Sequence, residues 1–222
     1  MVKLFLLLIF YTLCAQAKEP LFVTVHLDGL CQYDKQGVYD ELLKEFDQNY
    51  KVMPAKRAQI YIVKNKSCAF PLDSKFFRKK VSLIQSEPVQ VVHSVFYSLD
   101  KVYKSFKEVK GLRVGIRSEL GFSPKVWKGM RRNIEVKSKK LEQNVKMLLL
   151  GRSDVILEFV EDMEIYFEQH PEVRKKLKFD TKAHIEKFDD AMTCIDTPEN
   201  RKIIDSFNTY LNKSKNKKLD DL

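Results

Sequence analysis

From Leu21 onward the apolar positions switch repeatedly between two spacings. Leu21-Phe22-Val23-Thr24-Val25-His26-Leu27 is rich in aromatic and β-branched residues, as a buried strand is, and Asp28-Gly29 ends it. Over residues 37–46 the apolar Val38, Leu42, Leu43 and Phe46 fall at helical spacing with charges between them. Residues 50–53 read as a second strand, Pro54 opens a helix through Ala58 and Tyr61, and residues 67–72 read as a third strand stopped by Pro71. A longer β-like run follows at 89–99, and then the alternation restarts. Strands are expected at 112–116, 134–136 and 154–157. The helices between and after them are a Ser123-capped helix to about Arg131, one over 141–150 stopped by Gly151, and one over 161–169 before Pro171. A strand at 191–196 and a helix from Pro198 to about Leu211 close the pattern, with a polar, frayed tail over 213–222.

Strands separated by helices of this length predict an α/β chain with parallel-rich sheets and right-handed crossovers. Two such series predict two lobes, residues 18–97 plus 190–222 and residues 98–189, joined by crossing strands at 89–97 and 191–195. The start of the chain has a different pattern. Met1-Val2-Lys3 and the apolar run at 4–11 precede Ala15-Gln16-Ala17, the layout of a cleavable export signal covering 1–17, with the mature start at Lys18. The run is too short to span a bilayer comfortably, and charges interrupt every later one. A soluble protein working in the periplasm or outside the cell is expected.

Composition narrows the chemistry. A 44% hydrophobic share supplies enough apolar surface for a packed core. The net charge of +10 is spread through short basic blocks such as Arg78-Lys79-Lys80 and Arg174-Lys175-Lys176 that alternate with acids. That pattern is a solvated basic surface and lacks the concentrated basic face of a nucleic-acid binder. His26, His93, His170 and His184 are scattered and no CxxC occurs, so neither a metal site nor a cofactor is expected. Beyond residue 17 lie Cys31, Cys68 and Cys194. An oxidising compartment permits one disulfide, with Cys31–Cys68 the candidate pair because both are expected near strand ends of one lobe; three buried free thiols is the open alternative.

Three stretches then resemble one family. Asp34-Lys35-Gln36-Gly37-Val38-Tyr39-Asp40-Glu41-Leu42 is similar to its opening loop and first helix. Residues 109–118, Val-Lys-Gly-Leu-Arg-Val-Gly-Ile-Arg-Ser, look like the start of its second lobe. Met147-Leu148-Leu149-Leu150-Gly151-Arg152-Ser153-Asp154-Val155-Ile156 resembles its Gly-Arg-x-Asp turn between a helix and a strand. In order and spacing these resemble the bacterial extracytoplasmic solute-binding proteins of the polar amino-acid type, family 3, with the two-lobed type II periplasmic binding protein fold. The resemblance covers almost the whole mature chain. From the residues alone, Gly115 marks a close approach to the strand backbone, and the 151–154 turn is more simply scaffold than ligand contact.

The resemblance implies a hinge-closing receptor that captures a small anionic or zwitterionic solute, an amino acid or similar, between its lobes. It implies ABC-type import, with a membrane permease or sensor as partner, in a monomer that is no enzyme. In the family an arginine of the first lobe grips the ligand carboxylate ahead of a Ser-x-Pro turn. Ser86-Glu87-Pro88 resembles that turn, and Arg78 is the candidate arginine. On the second lobe Ser118, Gly121, Phe122 and Ser123 occupy the loop whose amides and hydroxyl face the same carboxylate. The family's acid for the ligand α-amino group falls at Phe159, with Glu158 one residue early and so on the other strand face. Tyr33 and Phe70 are aromatic candidates for pocket walls, with ordinary core packing the simpler role for Phe70. Two other classes stay open: a ligand-free interaction module, and a dehydratase-like enzyme on the same fold using Glu158, Glu119 or Glu87.

Overall fold

The computed structural model describes residues 21–27, 30–77, 81–118 and 122–220, with side chains to residue 214. The proposed signal segment at 1–17 lies outside the described residues. Two mixed sheets carry the fold. The first has strand order β2-β1-β3-β10-β4, from β1 (Phe22–Val25), β2 (Tyr50–Met53), β3 (Cys68–Phe70), β4 (Leu83–Gln85) and β10 (Thr193–Ile195). The second has order β7-β6-β8-β5-β9, from β5 (Gln90–Ser98), β6 (Arg113–Arg117), β7 (Ile134–Ser138), β8 (Val155–Phe159) and β9 (Glu186–Asp190). In each, four strands run one way and one, β10 or β5, runs against them, pairing antiparallel with both its neighbours.

Helices cover the sheets because each presents one apolar stripe. In α1 (Val38–Phe46) Tyr39 and Leu43 are buried against Phe22, Phe70 and Cys194. Its start is fixed by the Asp40 carboxylate, which accepts the Gly37 and Gln32 backbone N–H groups at 2.9 and 2.8 Å and the Tyr50 hydroxyl at 2.8 Å. This capping arrangement satisfies donors that the helix cannot. α2 (Ala55–Asn65) lies on the first sheet through Ala58 and Ile62. On the second sheet lie α3 (Pro124–Met130), α4 (Leu141–Leu149), α5 (Val160–Gln169) and α6 (Pro171–Lys176). α7 (Pro198–Asp220) returns over the first sheet through Ile204, Phe207 and Leu211.

Gly115 and Gly151 have specific reasons. A Cβ on Gly115 would lie 2.5 Å from Asn144 Oδ1 of α4 and 2.8 Å from Ile156, so the helix reaches the strand backbone there. Gly151 ends α4 at φ +66, with Gly151 N–H and Arg152 N–H closing onto Leu148 O and Met147 O. In the turn that follows, Asp154 takes the Arg113 backbone N–H at 2.7 Å and pairs with the Arg113 side chain, a scaffold role.

Several expectations change. The disulfide joins Cys68 to Cys194 and leaves Cys31 a buried free thiol. Cys68 and Cys194 face each other across the antiparallel β3–β10 pair, a proximity created only when the chain returns to the first sheet, so Cys31–Cys68 is replaced. Residues 90–98, expected to close the first lobe, pair along their length with β8 and β9 in the second sheet. The actual crossings are the short segments 86–89 and 191–192. The last helix continues through Asp220 where a frayed tail was expected. Strands β4 and β9 and helix α6 were not foreseen.

Candidate functional site

The two crossings run side by side and are bonded to each other. Ser86 N–H donates to Met192 O, Met192 N–H to Ser86 Oγ and Val89 N–H to Asp190 O, at 2.8–2.9 Å. Around them the two sheets face each other with their carboxyl ends, where α/β proteins place ligands. The first sheet contributes Val25 and Leu27 after β1 and Leu72 and Asp73 after β3; the second contributes Arg117 at the end of β6, Phe159 at the end of β8, Asp162 in the first turn of α5 and Asp190 at the end of β9. Together they line a cavity of about 70 Å³. A wider cavity of about 350 Å³ adjoins it, sharing Arg117 and Asp162 and adding Lys140, Glu142, Tyr166 and Gln169.

The charged groups are mostly committed to one another. Arg117 Nε donates to Glu158 Oε2 at 2.8 Å, and its guanidinium also holds Asp162. Glu158 Oε1 in turn accepts from Asn144 Nδ2 at 2.7 Å. Burial opposes the charge on Arg117, but the two carboxylates outweigh it and hold the guanidinium above its ordinary value. Burial likewise pushes the Glu158 carboxyl up, against the pull of Arg117.

Asp73 is held by Lys75 at 3.1 Å and by the Asp189 backbone N–H at 2.9 Å. Asp190 accepts the Tyr39 hydroxyl at 2.7 Å and Gln90 Nε2 at 3.2 Å, both on Oδ2. Burial pushes the Asp190 carboxyl up to about 6; those two bonds pull it back, and the Asp162 and Glu161 charges add to the rise. The Tyr39 phenol is driven up by its own burial and by Asp190.

The residues singled out from the sequence are dispersed. Arg78 and Gly121 lie outside the described residues. Ser118 is exposed and tied to the Ser138 carbonyl through both its N–H and its hydroxyl, at 2.9 and 3.0 Å. Phe122 is core, packed against Phe159, Phe188 and Trp127. Ser123 caps α3, yet its hydroxyl and N–H both go to the Glu186 carboxylate, so an internal acid takes the donors expected for a ligand. Glu158 is fully buried and touches the site only through Arg117. Tyr33 is 61% exposed and stacks on His26, away from the cavity. Phe70 is core beside Tyr39 and Phe207.

Four charged lining residues, Asp73, Arg117, Asp162 and Asp190, were missed. Arg117 and Asp162 had a usable signal: a basic residue at a strand end, and an acid in the first turn of the helix after β8. Asp190 had none, because Glu-Lys-Phe-Asp-Asp reads locally as a polar loop.

No family model matches the sequence, and none of the curated proteins does. The fold is that of the type II periplasmic binding proteins, and solved structures match it over nearly the whole chain. The amino-acid ABC transporter substrate-binding protein AbpA from Streptococcus pneumoniae, bound to L-arginine, is similar at TM-score 0.65 and 15% identity, covering 91% of each chain. An arginine transport system periplasmic binding protein from Legionella pneumophila is similar at TM-score 0.61 and 15% identity, over 88% of this chain and 93% of that one. The GluR0 ligand-binding core in complex with L-glutamate is similar at TM-score 0.62 and 11% identity, over 87% and 91%.

Proposed function

We propose that this protein is an extracytoplasmic solute-binding protein that captures an amino acid between two lobes and presents the closed form to an ABC-type permease. The observation that carries the proposal is the cavity walled by both sheets at their carboxyl ends, directly beside two bonded crossings that can act as a hinge. The match to amino-acid-binding proteins over most of the chain supports it. The lobes are the halves built on the two sheets, and the protein acts as an exported monomer cleaved after Ala17 with no catalytic step of its own. The cavity of about 70 Å³ between the sheets opens beside one of about 350 Å³ that shares Arg117 and Asp162, a volume within the ~300–1,000 Å³ of a small-molecule pocket.

Arg78 holds the ligand carboxylate from the first lobe, and Asp162 its α-ammonium. The acids around the cavity favour a zwitterion over a purely anionic solute. A thermal-shift panel of amino acids on the mature protein tests this. A ligand at 100 times its Kd stabilises the native state by about 2.7 kcal/mol. Arg78→Ala abolishes the shift and Lys80→Ala retains it. A panel without any hit overturns the proposed function, while equal binding by both variants removes Arg78 alone.

A further inference from the structure

Building on the amino-acid-binding proposal, we infer that Asp190 selects the charge of the ligand: its carboxylate receives a cationic side-chain head, ammonium or guanidinium, at the hinge end of the cavity. Both hydrogen bonds that Asp190 accepts converge on Oδ2, from Tyr39 of α1 and Gln90 of β5. Oδ1 accepts none among the described residues, although the side chain lines the cavity. A carboxylate has about four acceptor positions, so half of this one is left for a donor from a ligand.

Among the described residues the charged groups around it do not fill that place. Lys75 is engaged by Asp73 at 3.1 Å and lies 4.0 Å from Asp189. Arg117 of β6 is neutralised by Glu158 and Asp162. From α5, Asp162 and Glu161 add negative charge, and Glu161 is met by His93 of β5 at 3.1 Å. Tyr39 and Cys31 are both pushed up by burial first, with Asp190 adding to the rise, and stay neutral. The field that these described groups set up at Asp190 is therefore negative.

The walls beside it are apolar. Phe76 stacks on Phe188 at 4.8 Å, and Phe159 meets Phe188 edge-on at 5.4 Å. A cation bound here favours the ionised carboxylate. Because burial holds Asp190 up to about 6, affinity for a cationic ligand is full above that pH and falls as pH drops through it.

Calorimetric titration of the mature protein with L-arginine, L-lysine, L-glutamine and L-glutamate, at about pH 7.5 and about pH 5, tests the inference. At the higher pH arginine or lysine binds at least about tenfold tighter than glutamine, and the gap narrows several-fold at the lower pH. Asp190→Asn keeps an oxygen for Tyr39 and Gln90 but erases both the cation preference and its pH dependence. Glutamine or glutamate binding as tightly as arginine and lysine overturns the inference and leaves the proposed function standing. A cation preference that persists in Asp190→Asn also overturns it. Should that variant not fold, an unchanged preference between the two pH values in the parent protein overturns it instead. No binding by any of the four removes the proposed function and this inference together.

Discussion

The most consequential side chains here are charged groups that the fold has taken out of water. Arg117 and Glu158 are a buried pair whose value lies in mutual satisfaction: each alone would be an uncompensated charge, which is far costlier than the pair. Glu158→Ala strands Arg117 with Asp162 as its remaining partner and leaves Asn144 Nδ2 without its acceptor. The expected loss is about 3–5 kcal/mol of unfolding free energy, read from urea denaturation. Glu158→Gln, which can still accept from Asn144, loses less. A Glu158→Ala protein as stable as the parent would show that Asp162 alone compensates Arg117. Ser123 and Glu186 make the parallel case on the second sheet, where an internal carboxylate has taken a helix cap and its amide.

Among the elements, the return strand β10 decides how the first half is held together. It enters between β3 and β4, antiparallel to both, and its Cys194 is bonded to Cys68 across 126 residues of chain. A cross-link closing so long a loop restricts the unfolded chain strongly, and removing one costs about 2–5 kcal/mol in a secreted protein. The Cys68→Ala/Cys194→Ala double variant is expected to lose stability in that range by chemical denaturation. Thiol titration of the unfolded, unreduced mature chain should count one reactive group, Cys31. Three groups would remove the disulfide. Strand β9 shows the limit of local pattern. Its two aspartates and one glutamate disfavour a strand, and it forms because β5 offers a full ladder from Gln90 to Ser94 that buries Phe188.

For the molecule as a whole the proposed function makes the distance between the two halves the variable to measure. If 86–89 and 191–192 are the hinge, ligand binding moves the sheets as bodies and leaves each sheet's internal pairing untouched. Small-angle scattering of the mature protein should show a smaller radius of gyration with a saturating ligand found by thermal shift. An unchanged radius alongside proven binding would mean that the ligand enters without lobe closure.

Much of the fold was legible in the chain. β2 was read at its bounds, and α1, α4 and β5 within a residue or so, because alternating spacings, a proline or a glycine punctuate each of them. The two-sheet α/β architecture followed from their order. The site was far less legible. Ser123, Phe122, Tyr33 and Phe70 are the right residue types for a pocket, but the fold spends them on a cap, a core and a surface stack. Asp162, Arg117 and Asp190 line the cavity because strand ends from two distant series meet beside the crossings, and Cys194 finds Cys68 because β10 returns to the first sheet beside β3. Spacing along the chain determined most of the helices and strands, since these depend on local periodicity and turn chemistry, while β4, β9 and α6 escaped it. Which ends meet, which charges neutralise each other and which carboxylate oxygen is left unbonded among the described residues were decided by tertiary structure alone, since these depend on desolvation and on contacts from 41 to 151 residues apart.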